Sequence, residues 1–258
     1  MKHLGLFEGI GGFSLAARWA GWQTVACCEW NDFNQKVLSY HFPNAEKYGD
    51  ITKSDFAKYR GKVDIITGGF PCQPYSVAGK RLGTDDERHL WPEMLRAIRE
   101  VQPRWVVGEN VSGIVNWNGG VVFEQVHIDL ENEGYEVQAL VLPACSVNAP
   151  HRRDRVWFVA FNNTNSAIEQ SEHVRQPNER KPIGSNRRIM ADQFKNFPNK
   201  PPICGGNDGL PTELDNITLS KWRTETVKAY GNAIVPQVAF QIFKAINEYE
   251  SQMDNRTV

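Results

Sequence analysis

The stretch that decides the fold is LFEGIGGFS, residues Leu6–Ser14, which joins an apolar run to a segment of helical periodicity. The run HLGLF predicts a β-strand, and GGFSLAARWAGW predicts a helix. The glycines Gly9, Gly11 and Gly12 stand between them, where the backbone can turn tightly and a second group can approach it closely. The stretch predicts a ligand-binding turn at the carboxyl end of a strand, with a tight turn that binds nothing as the alternative.

The same alternation continues through residues 1–160. Each of the apolar runs TVACCEW, VDIITGG and RWVVGENV is followed by a helix-like segment. This order predicts an α/β fold with a mostly parallel sheet and helices on both faces. The runs YEVQALVLPA and RVWFVAF follow each other without a helix-length segment between them, so we expect an antiparallel pair at one edge of the sheet.

Composition divides the chain into three regions. Residues 1–160 carry the alternating pattern and form the expected core. Residues 161–222 have almost no apolar periodicity and predict a small, irregular, loop-rich region. Residues 223–258 include VPQVAFQIFKAINEYE, which predicts a C-terminal helix that returns to the sheet.

Charge is segregated along the chain. The 258 residues have a formal net charge of -1, which argues against a generic polyanion binder. The segment Pro150–Lys200, however, contains ten Lys and Arg residues against five Asp and Glu residues. Any contact with nucleic acid is therefore expected from this local basic segment.

Cysteine usage indicates a reducing compartment. The chain has five cysteines, an odd number that cannot all be paired in disulfides. They show no Cys-x-x-Cys spacing, so we expect neither a zinc site nor any other metal site. No window approaches the ~18 apolar residues that a membrane span requires. We expect a cytoplasmic protein with no membrane contact.

A cofactor site is predicted around the glycine turn. Glu29 ends the second strand about 20 residues further on, where a carboxylate can accept hydrogen bonds from a ribose diol. These features fit a nicotinamide site or an adenosyl-methionine site. Glu8 favours the second, because a carboxylate in the turn would repel a pyrophosphate but tolerate a sulfonium cation.

Three further residues are candidates for an adenine pocket. Trp30 could lay its ring on an adenine, although an aromatic residue after a strand also fits a core position. Asp50 and Ile51 follow the third strand and could supply a polar acceptor and an apolar wall. The alternative for Asp50 is a helix N-cap.

The stretch GGFPCQPYS, Gly68–Ser76, places Cys72 between two prolines after the fourth strand. Prolines restrict the backbone and hold the sulfur in one direction. A metal role lacks partners at suitable spacing, and burial does not fit the polar loop that follows. We interpret Cys72 as a nucleophile whose thiolate is favoured by Lys80, Arg81 and Arg88.

The next strands carry candidates for a catalytic acid and for substrate recognition. Glu109 ends the fifth strand, where it could share a cleft with Cys72 and donate a proton to a substrate nitrogen, or else cap a helix. Arg153 and Arg155 in PHRRDRVWF alternate along an expected strand and should point to one face. Planar or phosphate recognition is one interpretation, and surface ion pairing is the other.

Taken in order, these segments resemble the motif set of cytosine-5 DNA methyltransferases of bacterial or phage type. The matching segments are FEGIGGFSLAARWAG, CEWN, GDIT, GGFPCQPYSVAGKR, GENV, PHRRDRVWFV and GNAIVP. They cover about Leu4–Ala160 and Ala229–Ala245 and leave the basic middle of the chain unmatched.

The resemblance implies a Rossmann-like methyltransferase sheet and methyl transfer from S-adenosylmethionine to carbon 5 of a flipped-out cytosine in double-stranded DNA. It implies a catalytic set in which Cys72 is the nucleophile, Glu109 contacts ring nitrogen 3, Arg155 contacts the base oxygen and Arg153 supports the active-site loop or the cysteine. The cofactor residues that it implies are Phe7, Gly9, Gly11, Glu29, Trp30, Asp50, Ile51, Pro71 and Asn232. Residues 161–222 would then be the target-recognition region.

The chain departs from the family pattern at three places. Gly5 stands where an acidic residue is usual in DLF, and His151 replaces the usual glutamine before the arginines. The usual helix ahead of the last motif is not recognisable. In addition, residues 161–222 are few for reading a DNA site.

Three other functions remain open. The same chemistry could act on RNA, as in the tRNA-directed branch of the family, although PCQP favours DNA. The chain could also be a catalytically idle DNA-binding protein or, more distantly, a nicotinamide-dependent oxidoreductase. A monomer is expected, and a cognate restriction endonuclease is a compatible partner.

Overall fold

A computed structural model of the chain describes residues 1–71, 90–162 and 219–254. In these residues seven strands form one sheet: β1 (Lys2–Leu6), β2 (Gln23–Cys28), β3 (Glu46–Tyr48), β4 (Ile65–Gly68), β5 (Trp105–Val111), β6 (Tyr135–Pro143) and β7 (Asp154–Asn162). Their order across the sheet is β3-β2-β1-β4-β5-β7-β6. The first five strands in this order are parallel to one another, while β7 pairs antiparallel with both β5 and β6. The α/β class and the antiparallel edge are confirmed.

The helices are α1 (Gly12–Trp19), α2 (Asp32–His41), α3 (Trp91–Val101), α4 (Val121–Asn132), α5 (Leu219–Asn232) and α6 (Pro236–Asp254). Five of them lie where helical periodicity predicts them. The exception is α5, which begins inside the region 161–222 and ends within the motif GNAIVP, at Asn232. The remaining expectations for a recognition region concern residues 163–218, which lie outside the described residues.

Apolar side chains cover both faces of the sheet. Adjacent strand residues alternate between two buried clusters, so that Ile66 packs beside α3 while Ile65 packs beside α1 and α6. The buried side of α3 consists of residues at helical spacing, namely Trp91, Met94, Leu95, Ile98 and Val101. The sheet is therefore sandwiched between helices, as its apolar strands require.

The C-terminal helix α6 returns to the first strand unit. Its Phe243 stacks on Trp22 with ring centroids 4.4 Å apart. Trp22 Nε1 also donates a hydrogen bond of 2.7 Å to Asn247 Oδ1. These contacts pack α6 against the chain between α1 and β2. In the part of the chain that the structure describes, no helix is long and apolar enough to cross a membrane.

Strand order reverses at β1, which lies between β2 and β4. Leu6 pairs with Gly68, so β1 and β4 end level with each other. Gly68 pairs with Gly108, and β5 continues beyond this level to Val111. Doubly wound sheets bind ligands at such a switch point, outside the carboxyl ends of the strands. The loops that leave these three strands are therefore the ones that build the site.

Candidate active site

The glycine turn after β1 adopts left-handed backbone conformations. Phe7, Gly9 and Gly11 have φ values of 51°, 58° and 96°. A Cβ on Gly11 would lie 2.8 Å from the ring of Phe42, so that glycine is required by both backbone and packing. A Cβ on Gly9 would meet nothing within 4 Å. The turn thus packs against α2 at Gly11 and leaves open space at Gly9.

Glu29 connects this turn to the end of β2. The residue is 6% exposed, and its carboxylate accepts hydrogen bonds from the backbone N–H of Gly9 at 2.7 Å and of Asn31 at 2.9 Å. Each carboxylate oxygen has a second lone pair, so the group can still accept hydrogen bonds from a ligand. Two of the expected cofactor motifs therefore meet through one buried carboxylate.

The expected adenine-pocket residues differ in their surroundings. Trp30 is 78% exposed, which leaves its ring face available to a flat ligand and removes the core alternative. Ile51 is buried. Asp50 accepts hydrogen bonds from Thr52 N at 3.0 Å and Thr52 Oγ1 at 2.8 Å at the start of a short 3₁₀ helix, Ile51–Lys53. The N-cap alternative for Asp50 is therefore realised, and those hydrogen bonds lower the pKa of its carboxyl.

The loop that carries the expected nucleophile leaves β4 through Gly69, Phe70 and Pro71. Cys72 itself lies outside the described residues. The root of the loop is fixed by Asn110, which is buried and donates a hydrogen bond of 3.2 Å from Nδ2 to the carbonyl oxygen of Phe70. Sequence reasoning assigned no role to Asn110, although its place beside Glu109 at the end of a strand was the available signal.

Glu109 and Arg155 form a shielded ion pair at this root. Arg155 Nε lies 2.9 Å from Glu109 Oε1, and Glu109 is 8% exposed. A Cβ on Gly69 would lie 3.3 Å from Glu109 Oε2, which places the carboxyl beside the strand end that leads to Cys72. Burial raises the pKa of Glu109 to about 7, against the lowering effect of Arg155 and Arg153. Near neutral pH this group can therefore exist as an acid with a proton to donate.

Arg153 is not part of the strand, which corrects the expectation that it alternates with Arg155 along one face. It precedes β7 with a φ of 38°, so strand alternation does not set its direction. Its Nη2 donates hydrogen bonds to the carbonyl oxygens of Gly231 at 3.0 Å and Ala233 at 2.8 Å. In the described residues Arg153 therefore holds the end of α5 and the link, residues 233–235, that joins it to α6.

That link closes the site from the C-terminal side. A Cβ on Gly12 would lie 2.6 Å from Ile234 Cγ1, so the link packs directly on the start of α1. Asn232, the expected cofactor residue, is exposed at the end of α5. Ile234 was not singled out by sequence reasoning, because its contact with Gly12 depends on how α6 packs.

A cavity of about 570 Å³ opens beside these residues. It is lined by the glycine turn, the turn ahead of β7 and the link before α6, including Gly11, His151, Arg153 and Ile234. The lining includes neither Glu29 nor Trp30. The cavity therefore adjoins the carboxyl ends of the strands on the side of Arg153 and does not extend to the expected adenine pocket.

Glu8 is buried inside the protein, so its charge does not select the cofactor in the way expected from the sequence. The side chain is 4% exposed and folds beneath the turn, where Oε1 accepts a hydrogen bond of 2.6 Å from Ser14 N. Beneath it lies a further buried polar group, His3, whose ring nitrogens contact the hydroxyls of Thr24 and Thr67. Both residues stabilise the turn from inside the protein.

Comparison with known proteins gives consistent matches. The family model described as C-5 cytosine-specific DNA methylase matches residues 1–203. The chain is 37% identical to type II methyltransferase M.Eco47II of Escherichia coli, over 62% of this chain and 39% of that protein. It is 34% identical to M.HhaI of Haemophilus parahaemolyticus, over 63% of this chain and 50% of that protein.

Coverage is higher for M.AquIA of Picosynechococcus, to which the chain is 31% identical over 75% of its own length and 82% of that protein. The chain thus spans half or less of the first two relatives and most of the third.

Among solved structures, a putative DNA modification methyltransferase from an Escherichia coli prophage superposes with a TM-score of 0.56 at 23% identity, over 78% of this chain and 56% of that one. Dnmt2 methyltransferase of S. pombe superposes with a TM-score of 0.52 at 23% identity, over 63% of this chain and 51% of that one. These two likenesses support the fold.

Proposed function

The chain belongs to the C-5 cytosine-specific DNA methylase family, and from this premise we propose that it methylates carbon 5 of a flipped-out cytosine in double-stranded DNA. The methyl donor of this family is S-adenosylmethionine. We propose that the reaction runs through a covalent adduct with Cys72 and serves restriction-modification or phage DNA protection.

The residues around the glycine turn fit an adenosyl cofactor. The open space at Gly9 leaves room for a ligand against the backbone, and the buried carboxylate of Glu29 can accept hydrogen bonds from a ribose diol. Trp30 offers an exposed ring for stacking on adenine, and Ile51 a buried apolar wall. Phe7, Gly11, Asp50, Pro71 and Asn232 complete the proposed cofactor site. When bound, S-adenosylmethionine supplies an electrophilic methyl group.

The chain's own residues act on the base. The thiolate of Cys72 adds to carbon 6 of cytosine, while the carboxylic acid of Glu109 donates a proton to ring nitrogen 3. The electron pair of the 5,6 double bond then becomes available at carbon 5 for bonding to the methyl carbon. Loss of the carbon 5 proton to solvent, return of the nitrogen 3 proton to the Glu109 carboxylate and expulsion of the Cys72 thiolate restore the aromatic ring. Arg155 contacts the base oxygen and holds Glu109 in place, and Arg153 supports the site by fixing the link before α6.

The observation that carries this proposal is the environment of Glu109. Its carboxyl lies beside Gly69 at the strand end that leads to Cys72, and burial raises its pKa to about 7. A carboxyl group in water would be ionised at neutral pH and could not serve as the acid. Burial thus supplies the protonation state that the proposed addition requires.

Double-stranded DNA is the proposed substrate because the matching family is one of DNA methylases. The basic segment Pro150–Lys200 is the proposed source of phosphate contacts. The target base must leave the stack, which costs a few kcal/mol. The enzyme would recover this cost through contacts to the flipped base and the DNA backbone.

The test is bisulfite sequencing of DNA from cells that express the chain, beside cells that express Cys72→Ser. We expect methylation at one defined sequence motif, and its loss in the variant. Methylation by Cys72→Ser at the parental level would overturn the nucleophile assignment. Methylation of purified tRNA and not of duplex DNA would instead assign the chain to the RNA-directed reaction.

A further inference from the structure

The turn after β1 contains an acidic residue that is enclosed by protein. Glu8 is 4% exposed, and its Oε1 accepts a hydrogen bond of 2.6 Å from the backbone N–H of Ser14. Within the described residues, Oε2 is buried and has no hydrogen-bond partner. Burial raises the pKa of this carboxyl to about 7, while the hydrogen bonds from Ser14 lower it. Such a costly placement calls for a compensating role.

The first part of that role is to cap α1. The helix begins at Gly12, and its N-cap residue, Gly11, has no side chain that could accept from the first turn. Ser14 is the third helical residue, whose N–H an N-cap side chain normally satisfies. Glu8 supplies that acceptor from within the turn, and the helix dipole favours a carboxyl at this end.

The second part is steric. A Cβ on Gly5 would lie 2.0 Å from Glu8 Oε2 and 2.7 Å from Glu8 Cδ. No pair of non-bonded atoms tolerates such distances, so the carboxyl of Glu8 occupies the space in which any side chain at position 5 would begin. A side chain at position 5 and the observed placement of the Glu8 carboxyl therefore exclude each other: while Glu8 keeps this conformation, the space admits one carboxyl.

We propose that Glu8 is a positioning residue of the cofactor site, whose carboxyl replaces a side chain at position 5 and holds the glycine turn in its ligand-binding conformation. Glu8 is followed directly by Gly9, which donates to Glu29, so an ordered Glu8 fixes the backbone that meets the proposed cofactor. Gly5 is then the partner of Glu8, and the departure from the usual acidic residue at position 5 is a relocation of the carboxyl by three residues. This inference rests on the proposed function.

The test is a reciprocal exchange, measured as S-adenosylmethionine affinity by calorimetry at a temperature where every variant is folded. We expect Glu8→Ala to weaken binding about tenfold, as for the loss of one cap. Gly5→Asp alone should weaken binding at least as much, because two carboxyls compete for one space. The double variant Gly5→Asp/Glu8→Ala should bind within about threefold of the wild type. Glu8→Gln, which keeps an oxygen to accept from Ser14, should also bind nearly normally.

A double variant that binds more weakly than either single variant would overturn the exchange. A Glu8→Gln variant as weak as Glu8→Ala would overturn it as well, since charge and not the filled space would then be required. Thermal unfolding without ligand separates a positioning role of Glu8 from a packing role. If the double variant regains the melting temperature of the wild type but not its affinity, Glu8 has a packing role only. Failure of the folded wild type to bind S-adenosylmethionine would instead overturn the proposed function.

Discussion

Glu109 and Arg155 lie on neighbouring antiparallel strands, and the Nε atom of Arg155 is 2.9 Å from the Oε1 atom of Glu109. Both side chains are largely shielded from water. The arrangement couples a cation to a carboxyl whose pKa burial raises to about 7. Burial favours the acid form of Glu109 and the ion pair with Arg155 opposes it, so the two together set how much acid is present at neutral pH.

Replacement of the acid should stop the reaction and leave cofactor binding intact. Glu109→Gln keeps the shape of the side chain but has no proton of suitable acidity, so we expect methyl transfer to fall by ~10²–10⁴-fold. Transfer of a radiolabelled methyl group to duplex DNA measures the loss, and calorimetry should find S-adenosylmethionine affinity within about twofold of the wild type. Glu136→Gln, an exposed change on β6, is the control and should stay fully active. Parental rates in Glu109→Gln would exclude Glu109 as the acid.

Removal of the Arg155 cation should shift the pH profile of activity to higher pH. Arg155 lowers the pKa of Glu109, so Arg155→Met should raise that pKa and keep the acid form to higher pH. The alkaline limb of the profile of kcat/KM against pH should therefore shift to higher pH, whatever the loss in absolute rate. Arg155→Lys, which keeps the charge, should shift it less. A limb that stays in place or moves to lower pH in Arg155→Met would refute the coupling.

Loss of the Glu29 carboxylate should affect both cofactor affinity and stability. Glu29→Ala leaves the backbone N–H groups of Gly9 and Asn31 without their acceptor, and buried unpaired groups cost about 1–3 kcal/mol each. We expect a lower melting temperature and S-adenosylmethionine binding weakened ~10- to 100-fold. Calorimetry and thermal unfolding measure the two effects. Unchanged affinity in a destabilised but folded Glu29→Ala would show that the carboxylate serves the turn alone.

Arg153 should stabilise the closure of the site from the C-terminal side. Arg153→Ala removes the donor to the carbonyl oxygens of Gly231 and Ala233, and hydrogen bonds to charged groups contribute about 1.5–3 kcal/mol. Because Ile234 packs on Gly12, we expect a higher KM for S-adenosylmethionine together with a lower melting temperature.

The adjacent residue supplies the control for this prediction. Arg152 is 83% exposed and pairs at the surface with Asp154, so Arg152→Ala should change neither quantity appreciably. Equal effects from the two alanine variants would contradict a specific role for Arg153.

Much of the fold was predictable because strands and helices have characteristic patterns of apolar residues over short stretches of sequence. The alternation of apolar runs with helical periodicity placed β1, α1 and their successors and indicated the antiparallel edge. Helix α5 was missed because its sequence, LSKWRTETVKAYGN, lacks a clear apolar stripe. Asp50 is the N-cap of a short helix. Sequence spacing could not separate this role from a ligand role.

The sequence by itself determined the order of the elements, the ends of the strands and the residue types that meet there, since periodicity and turn residues act over a few positions. Tertiary structure alone decided the directions of side chains. Glu8 turned inward because Gly5 left it space, and Arg153 turned to the link before α6 because its backbone departs from strand geometry. Glu109 acquired a raised pKa because the packed chain buries it on β5, beside β7. Burial and long-range contacts are properties of the packed chain, and they convert an ordinary carboxyl into a candidate acid.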